Sequence, residues 1–210
     1  MEKIKIIFIG TADIGAPLLK TLTDDNRFSV SLVITQTDKP AGRKMELQAS
    51  PIKLKAVDLA LDVFQPDNIN TKESVERIKK LKPDMIVLMA YGQILKKELL
   101  DIPEFGCVNV HASILPKHRG ASPVQQSLFH GDTETGISIM KMAEKMDAGP
   151  VYFTSKIPIT DEDNAESLLA KLADLTAKRT PEVLLEIVED GLIPQPQNHE
   201  KASYCQKIHK

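Results

Sequence analysis

Runs of aliphatic and β-branched residues alternate along this chain with segments whose apolar residues recur every three or four positions. The runs are typical of buried strands, and the periodic segments are typical of helices that pack one face against a sheet. Strands that alternate with helices favour βαβ units, in which helices flank parallel strands. The pattern therefore predicts an α/β, Rossmann-like fold with a mostly parallel sheet flanked by helices.

The individual elements can be placed along the chain. The predicted strands are 4–9, 28–35, 62–64, 85–90, 107–111, 136–142 and 151–159. The predicted helices are 16–22, 51–61, 71–81, 123–131 and 164–179. Thr180 and Pro181 predict the end of the last helix and the start of another that finishes at Gly191. The stretch 36–49 shows no regular pattern, so we predict a long binding loop there.

Length and charge narrow the class of protein. The chain has 210 residues, of which 42% are hydrophobic, and a formal net charge of -2. It can bury a sizeable core, and it is most simply one α/β domain with a small C-terminal appendage. The charge argues against a generally basic surface for nucleic acid, because such binding requires many Lys and Arg residues. Any RNA contact is expected to be local.

The cysteines and the N-terminal sequence indicate the compartment, and the histidines bear on metal binding. Cys107 and Cys205 have neither disulfide nor metal-ligand spacing, so both are expected to be free thiols in a reducing compartment. The histidines also lack metal-ligand spacing, and no metal is expected. Too few apolar residues precede Gly10 for a signal peptide or a membrane span. We therefore expect a cytoplasmic protein without membrane contact, and we expect it to be a monomer.

One predicted strand carries polar residues that are suited to catalysis. In Cys107-Val-Asn109-Val-His111, side-chain alternation places Asn109 and His111 on the same face, and Ser113 follows in the same register. The strand runs into the loop 113–120, and ligands of α/β proteins bind beyond the carboxyl ends of strands. The Asn109 amide could hold an oxyanion, and an imidazole exchanges protons near neutral pH.

A carboxylate further along the chain completes this set. Asp147, in Asp147-Ala-Gly149, could orient His111 or raise its basicity. An amide, an imidazole and a carboxylate suffice for acyl transfer without a metal or a covalent intermediate. An isolated Asn-x-His is more often structural, but the Leu-Pro-x-x-Arg-Gly loop and the Asp-x-Gly motif favour a catalytic role.

These motifs resemble a known family. The stretches 109–123, 131–136 and 146–149, with Ile-Ile-Phe-Ile-Gly10-Thr, Lys39-Pro-Ala-Gly-Arg43 and Ala90-Tyr-Gly-Gln-Ile-Leu95 upstream, are similar to the formyltransferases that use 10-formyltetrahydrofolate. Among these, the chain most resembles the enzymes that formylate methionyl initiator tRNA. The resemblance covers essentially the whole chain and implies the formyltransferase fold.

The resemblance implies roles for particular residues. Asn109, His111 and Asp147 would be catalytic. The folate co-substrate would be bound by Tyr91, Gly92, Ser113, Ile114, Leu115 and Pro116. The acceptor end of initiator tRNA would contact Lys39, Arg43 and Lys44. Residues 1–190 would form the catalytic domain, and 191–210 would begin the linker to the family's C-terminal barrel of the oligonucleotide-binding type. The barrel itself is expected to be absent here, either because the chain is a fragment or because it is naturally short.

Two other functions share parts of this pattern. Formyltransferases that act on glycinamide ribonucleotide or on nucleotide-linked amino sugars share the three catalytic residues but lack the insertion around Lys39 and Arg43. A catalytically silent folate-binding module could also use the same fold. The presence of all three catalytic residues argues against the silent module.

Overall fold

The structure is a computed structural model that describes residues 2–41 and 45–208. The chain forms two compact units, Met1–Cys107 and Val108–Lys210. Among the residues described, no helix combines the length and apolar character that a membrane span requires.

The described residues of the first unit form six strands and four α-helices. Its strands are β1 (Ile4–Gly10), β2 (Phe28–Ile34), β3 (Lys39–Ala41), β4 (Glu46–Gln48), β5 (Val63–Phe64) and β6 (Met85–Met89). Its helices are α1 (Ala16–Asp24), α2 (Pro51–Asp58), α3 (Lys72–Leu81) and α4 (Lys97–Leu100). β1 lies between β2 and β6 and pairs in parallel with both, and β2 pairs in parallel with β5. β1 and β6 are almost wholly buried, which explains their near-continuous apolar sequences.

Two of the predicted helix starts are confirmed in this unit. The Ser50 hydroxyl accepts a hydrogen bond from the Lys53 amide, and Pro51 occupies the first turn of α2. The Thr71 hydroxyl accepts from the Ser74 amide at the start of α3. Each cap satisfies an amide that would otherwise have no partner at the helix end.

The prediction of an unstructured loop over 36–49 was wrong. β3 and β4 pair there as an antiparallel hairpin, with Lys39 opposite Gln48. The strands escaped prediction because Lys39, Pro40 and all of β4 are exposed. Residues of β4 are all exposed, so the sequence has no alternation of apolar and polar positions.

The second unit contains the predicted catalytic strand. Its strands are β7 (Cys107–His111), β8 (Arg119–Gly120), β9 (Glu134–Lys141), β10 (Val151–Pro158) and β11 (Tyr204–Cys205). Its helices are α5 (Pro123–Phe129) and α6 (Ala165–Glu189). β9 pairs antiparallel with both β7 and β10, and β11 pairs in parallel with β8. The predicted α/β class with a mostly parallel sheet and flanking helices is confirmed.

The predicted break at Thr180 and Pro181 was wrong, because α6 continues through both residues. Proline removes one helical hydrogen bond and costs roughly 3 kcal/mol inside a helix. Both residues are buried, as are Val183 and Leu184 one turn further on. The apolar face on either side of the proline is therefore continuous, and its burial offsets the lost hydrogen bond.

The serine that precedes α5 does not cap that helix. Pro123 does begin the helix, but the Ser122 side chain makes no capping hydrogen bond. Its hydroxyl instead accepts from the amide of Ile208, near the end of the described chain. A contact with a residue so distant in sequence has no local signature.

Candidate functional site

Asn109 and His111 occupy neighbouring positions on one face of β7. Strand pairing places Asn109 opposite Met140 and His111 opposite Ser138 of β9. Both side chains are buried, each with 6% of its surface exposed. The register of β7 therefore brings a buried amide and a buried imidazole together, as side-chain alternation predicts.

The Asp147 carboxylate meets both of these side chains. Asn109 Nδ2 donates to Asp147 Oδ1 over 3.4 Å, and His111 Nδ1 lies 3.7 Å from Asp147 Oδ2. The Gly120 amide donates to Oδ2 over 2.8 Å. An amide nitrogen carries two hydrogens, so Asn109 keeps one for a ligand oxygen after its contact with Asp147. The three predicted catalytic residues thus form one cluster.

The second contact of His111 indicates which of its two ring nitrogens carries the proton. Nε2 lies 2.9 Å from the carbonyl oxygen of His118. A carbonyl oxygen only accepts hydrogen bonds, so Nε2 carries the proton in this contact. In the neutral ring the lone pair then lies on Nδ1, the nitrogen that faces Asp147. A proton taken up by His111 would therefore come to lie beside the Asp147 carboxylate.

Asp147 lies in a tight turn between β9 and β10. Its φ is 48°, in the left-handed region that residues other than glycine seldom adopt. At Gly149, a Cβ atom would lie 1.9 Å from the Lys141 carbonyl oxygen. The close approach of two backbone segments therefore requires glycine at this position.

Gly149→Ala should displace the turn, because the obstructing atom belongs to the backbone and cannot rotate away. We expect a loss of about 1–3 kcal/mol in the free energy of unfolding and a lower kcat for the activity proposed below. Gly191→Ala is the control, since Gly191 has a positive φ of 64° but open space where a Cβ would stand. It should lose stability and keep its kcat. Equal kcat values for the two variants, measured with their thermal unfolding, would contradict the prediction.

Two buried residues that the sequence analysis did not single out support this turn. Gln197 Nε2 donates to the carbonyl oxygens of Asp147 and Gly149, over 2.9 and 2.6 Å. Arg119 donates to Gln197 Oε1 from Nε over 3.2 Å and from Nη2 over 2.7 Å. Arg119 belongs to the Leu-Pro-x-x-Arg-Gly motif, which could have drawn attention to it. Gln197 has no such signal in the sequence.

The predicted folate residues of the second unit form the loop after β7. The Ser113 hydroxyl donates to the Lys117 carbonyl, and Ser138 Oγ donates to the Ser113 carbonyl. Ile114, Leu115 and Pro116 line a cavity of about 570 Å³. Asn109, His111 and Asp147 do not line this cavity, so its walls and the three-residue cluster are separate features of the unit.

The remaining predicted folate residues lie in the first unit. Tyr91 is 1% exposed, and burial raises the pKa of its phenol to about 12. Its hydroxyl has no hydrogen-bond partner within the described part of the chain. Its carbonyl accepts from Thr11 Oγ1 over 3.0 Å and from Gln36 Nε2 over 2.6 Å. Gly92 has a φ of 89°, and a Cβ there would lie 2.5 Å from Gln36 Nε2.

The predicted tRNA contacts are described only in part. Lys39 is exposed at the start of β3, and its ammonium group donates to Gln36 Oε1. Arg43 and Lys44 lie outside the described residues. Within residues 2–41 and 45–208, no group of three or more His, Cys, Asp or Glu side chains could hold a metal ion.

Comparison with known proteins identifies the family. The sequence profile of the formyl transferase family matches residues 3–184. The chain therefore belongs to the formyl transferase family.

Individual relatives show which members of this family have sequences similar to this chain. The chain is 44% identical over 205 residues to a methionyl-tRNA formyltransferase of Geobacillus sp. (strain WCH70), covering 98% of this chain and 64% of that protein. It is 42% identical over 210 residues to the methionyl-tRNA formyltransferase of Legionella pneumophila (strain Paris), covering 100% and 67%. The chain thus spans about two thirds of the length of the curated relatives it matches.

Solved structures show the same fold. A glycinamide ribonucleotide transformylase from Symbiobacterium toebii superposes with a TM-score of 0.74 at 18% identity, covering 93% of this chain and 95% of that one. A sugar N-formyltransferase from Shewanella sp. superposes with a TM-score of 0.73, also at 18% identity, covering 97% and 76%. These similarities establish the formyltransferase fold and leave the acceptor open.

Proposed function

We propose that this chain transfers the formyl group of 10-formyltetrahydrofolate to the α-amino group of methionyl initiator tRNA, a step of translation initiation in the cytoplasm. The observation that carries the proposal is the convergence of Asn109 and His111 on the Asp147 carboxylate, over 3.4 and 3.7 Å. The identity to methionyl-tRNA formyltransferases supports the choice of acceptor. We further propose that the protein acts as a monomer.

The proposed reaction begins with the attack of the neutral amine on the formyl carbon. A new carbon–nitrogen bond forms, and the formyl oxygen becomes negatively charged in a tetrahedral intermediate. The free hydrogen of the Asn109 amide would donate to that oxygen, and such a donor acts most strongly where charge develops. When the bond from carbon to N10 breaks, N10 takes a proton and tetrahydrofolate leaves.

His111 would carry the proton between the two nitrogens. Its Nε2 is held by the His118 carbonyl, so Nδ1 would accept the proton of the attacking amine. The resulting imidazolium would lie beside Asp147, whose negative charge stabilises it. This proton would then pass to N10 as the bond between the formyl carbon and N10 breaks, so His111 ends the cycle neutral.

Folate contacts are proposed for residues in each unit. In the second unit we propose that Ile114, Leu115 and Pro116, in the loop that directly follows β7, contact the folate with their apolar side chains. The Ser113 hydroxyl already donates within the loop, so its contribution would be to shape that loop. In the first unit we propose that Tyr91 and Gly92 contact the folate.

For the tRNA, we propose that Lys39, Arg43 and Lys44 contact phosphates of the acceptor end. Arg43→Ala should lower kcat/KM for methionyl initiator tRNA about tenfold, the magnitude expected for one charged hydrogen bond. The KM for 10-formyltetrahydrofolate should not change. Lys72→Ala is the control, because Lys72 is a highly exposed cation of the same unit. An unchanged kcat/KM in Arg43→Ala would remove Arg43 from the tRNA site.

Formylation rates with three acceptors test the choice of substrate. Methionyl initiator tRNA, glycinamide ribonucleotide and a nucleotide-linked amino sugar would each be supplied with 10-formyltetrahydrofolate. We expect transfer to the tRNA to exceed the others by at least tenfold in kcat/KM. Preference for either small acceptor would contradict the assignment, and tight folate binding without any turnover would favour the silent module.

A further inference from the structure

Residues 195–205, near the end of the second unit, fold back against the elements around Asp147. The backbone of Gln195 pairs with that of Val151 in both directions, over 2.8 Å. β11 pairs with β8, and the Arg119 amide donates to the Ser203 carbonyl. The sequence predicted that a linker begins at residue 191. These hydrogen bonds hold the segment against the rest of the second unit.

Gln197 is the residue of this segment that reaches the catalytic turn. It is 9% exposed, and its amide nitrogen donates to the carbonyl oxygens on either side of Ala148. Both hydrogens are therefore committed to the backbone that carries Asp147. Asp147 adopts a left-handed conformation, which residues with a Cβ atom adopt less readily than glycine, and the two hydrogen bonds from Gln197 support the backbone in that conformation.

Arg119 determines the orientation of Gln197. The guanidinium is 2% exposed, and it donates from two nitrogens to Gln197 Oε1. A buried cation requires strong acceptors, so Gln197 presents its oxygen to Arg119 and its nitrogen to the turn. The reverse amide orientation would place two donors against the guanidinium and an acceptor against two carbonyls.

We propose that Gln197, oriented by Arg119, is a positioning residue that holds the Asp147 carboxylate against Asn109 and His111. Its effect on catalysis rests on the proposed function, whereas its effect on the turn does not. Hydrogen exchange at the Gly120 amide reports directly on the position of Asp147, because this amide donates its hydrogen bond to Asp147 Oδ2. Loss of that contact would appear as faster hydrogen exchange at Gly120.

The test is Gln197→Glu, which preserves size and shape. A carboxylate keeps the acceptor for Arg119 and adds an ion pair, so the fold should be retained. It loses both donors, so two carbonyl oxygens would face a negatively charged group. We expect kcat to fall ten- to a hundredfold, as small misplacements of catalytic groups do, with an unchanged KM for 10-formyltetrahydrofolate. Exchange at Gly120 should accelerate at least tenfold.

Gln195→Glu is the matched control, because Gln195 is exposed two residues earlier and its side-chain amide donates to the carbonyl of neighbouring Ile193. It should keep wild-type kcat and wild-type exchange. Unchanged kcat and Gly120 exchange in Gln197→Glu would overturn the proposal. So would a fall in kcat that tracks a lower unfolding temperature while Gly120 stays protected. If the wild-type protein transfers no formyl group, the proposed function fails, and Gly120 exchange alone decides this inference.

Discussion

Asn109→Ala is expected to lower kcat for formyl transfer about 10²- to 10³-fold, the loss seen when a single oxyanion donor is removed from an acyl-transfer site. The Asn109 amide is buried, and one of its hydrogens is already directed at Asp147. The other hydrogen would serve the oxyanion, which exists only after the amine has attacked. The loss should therefore fall on kcat, while the dissociation constant for 10-formyltetrahydrofolate should remain nearly unchanged.

Steady-state kinetics with a folate-binding titration would separate the two effects. Asn164→Ala provides a control for stability, because Asn164 caps α6 by accepting from Glu166 and Ser167. Its loss should cost about 1 kcal/mol in the free energy of unfolding and leave kcat unchanged. Weakened folate binding in Asn109→Ala, with an unaltered kcat, would make Asn109 a ligand-holding residue instead.

Asp147→Asn is expected to have an effect at least as large. The amide oxygen of asparagine can still accept from the Gly120 amide, so the turn should remain intact. The negative charge beside His111 Nδ1 is lost, so the imidazolium formed during proton transfer has no counter-charge. We expect kcat to fall by a factor of about 10² to 10⁴, the upper value being that of the equivalent change in a serine-protease triad.

The chain provides a matched control for this substitution. Asp132 lies 2.6 Å from His118 Nε2 and forms a second Asp–His pair in the same unit. Asp132→Asn removes the same charge from the same kind of pair, outside the proposed catalytic cluster. Asp132 lines the same cavity as Ile114, Leu115 and Pro116, so the substitution can alter the KM for 10-formyltetrahydrofolate. Its kcat should stay within about twofold of wild type, because the charge beside His111 is retained. An equal loss in both variants would show that Asp147 acts only through general electrostatics.

The sequence predicted part of the geometry of the candidate site, because the local signal of a strand is strong. A strand of alternating residues determines which side chains share a face, so the common face of Asn109 and His111 followed from their spacing. The position of Asp147 followed only from its motif, because strand periodicity says nothing about a contact with a residue 38 positions away. The exact contacts of Asp147 required the structure.

Other features escaped prediction for identifiable physical reasons. Pro181 is a strong helix breaker locally, yet burial of the surrounding face of α6 outweighs it. The three residues of β4 are all exposed, so this strand carries no periodic signal. Gln197 and Arg119 are 78 residues apart, and their contact depends on how the end of the chain folds back. Propensity and motif cannot indicate such long-range partners.

Single-turnover transfer of labelled formyl from 10-formyltetrahydrofolate to methionyl initiator tRNA is the most direct test of the proposed function. The wild-type protein should place the label on the methionyl α-amino group, and Asn109→Ala should do so at least a hundredfold more slowly while binding folate equally well. Absence of label on the tRNA, or equal rates for the two proteins, would contradict the assignment of Asn109, His111 and Asp147 as the catalytic residues of a tRNA formyltransferase.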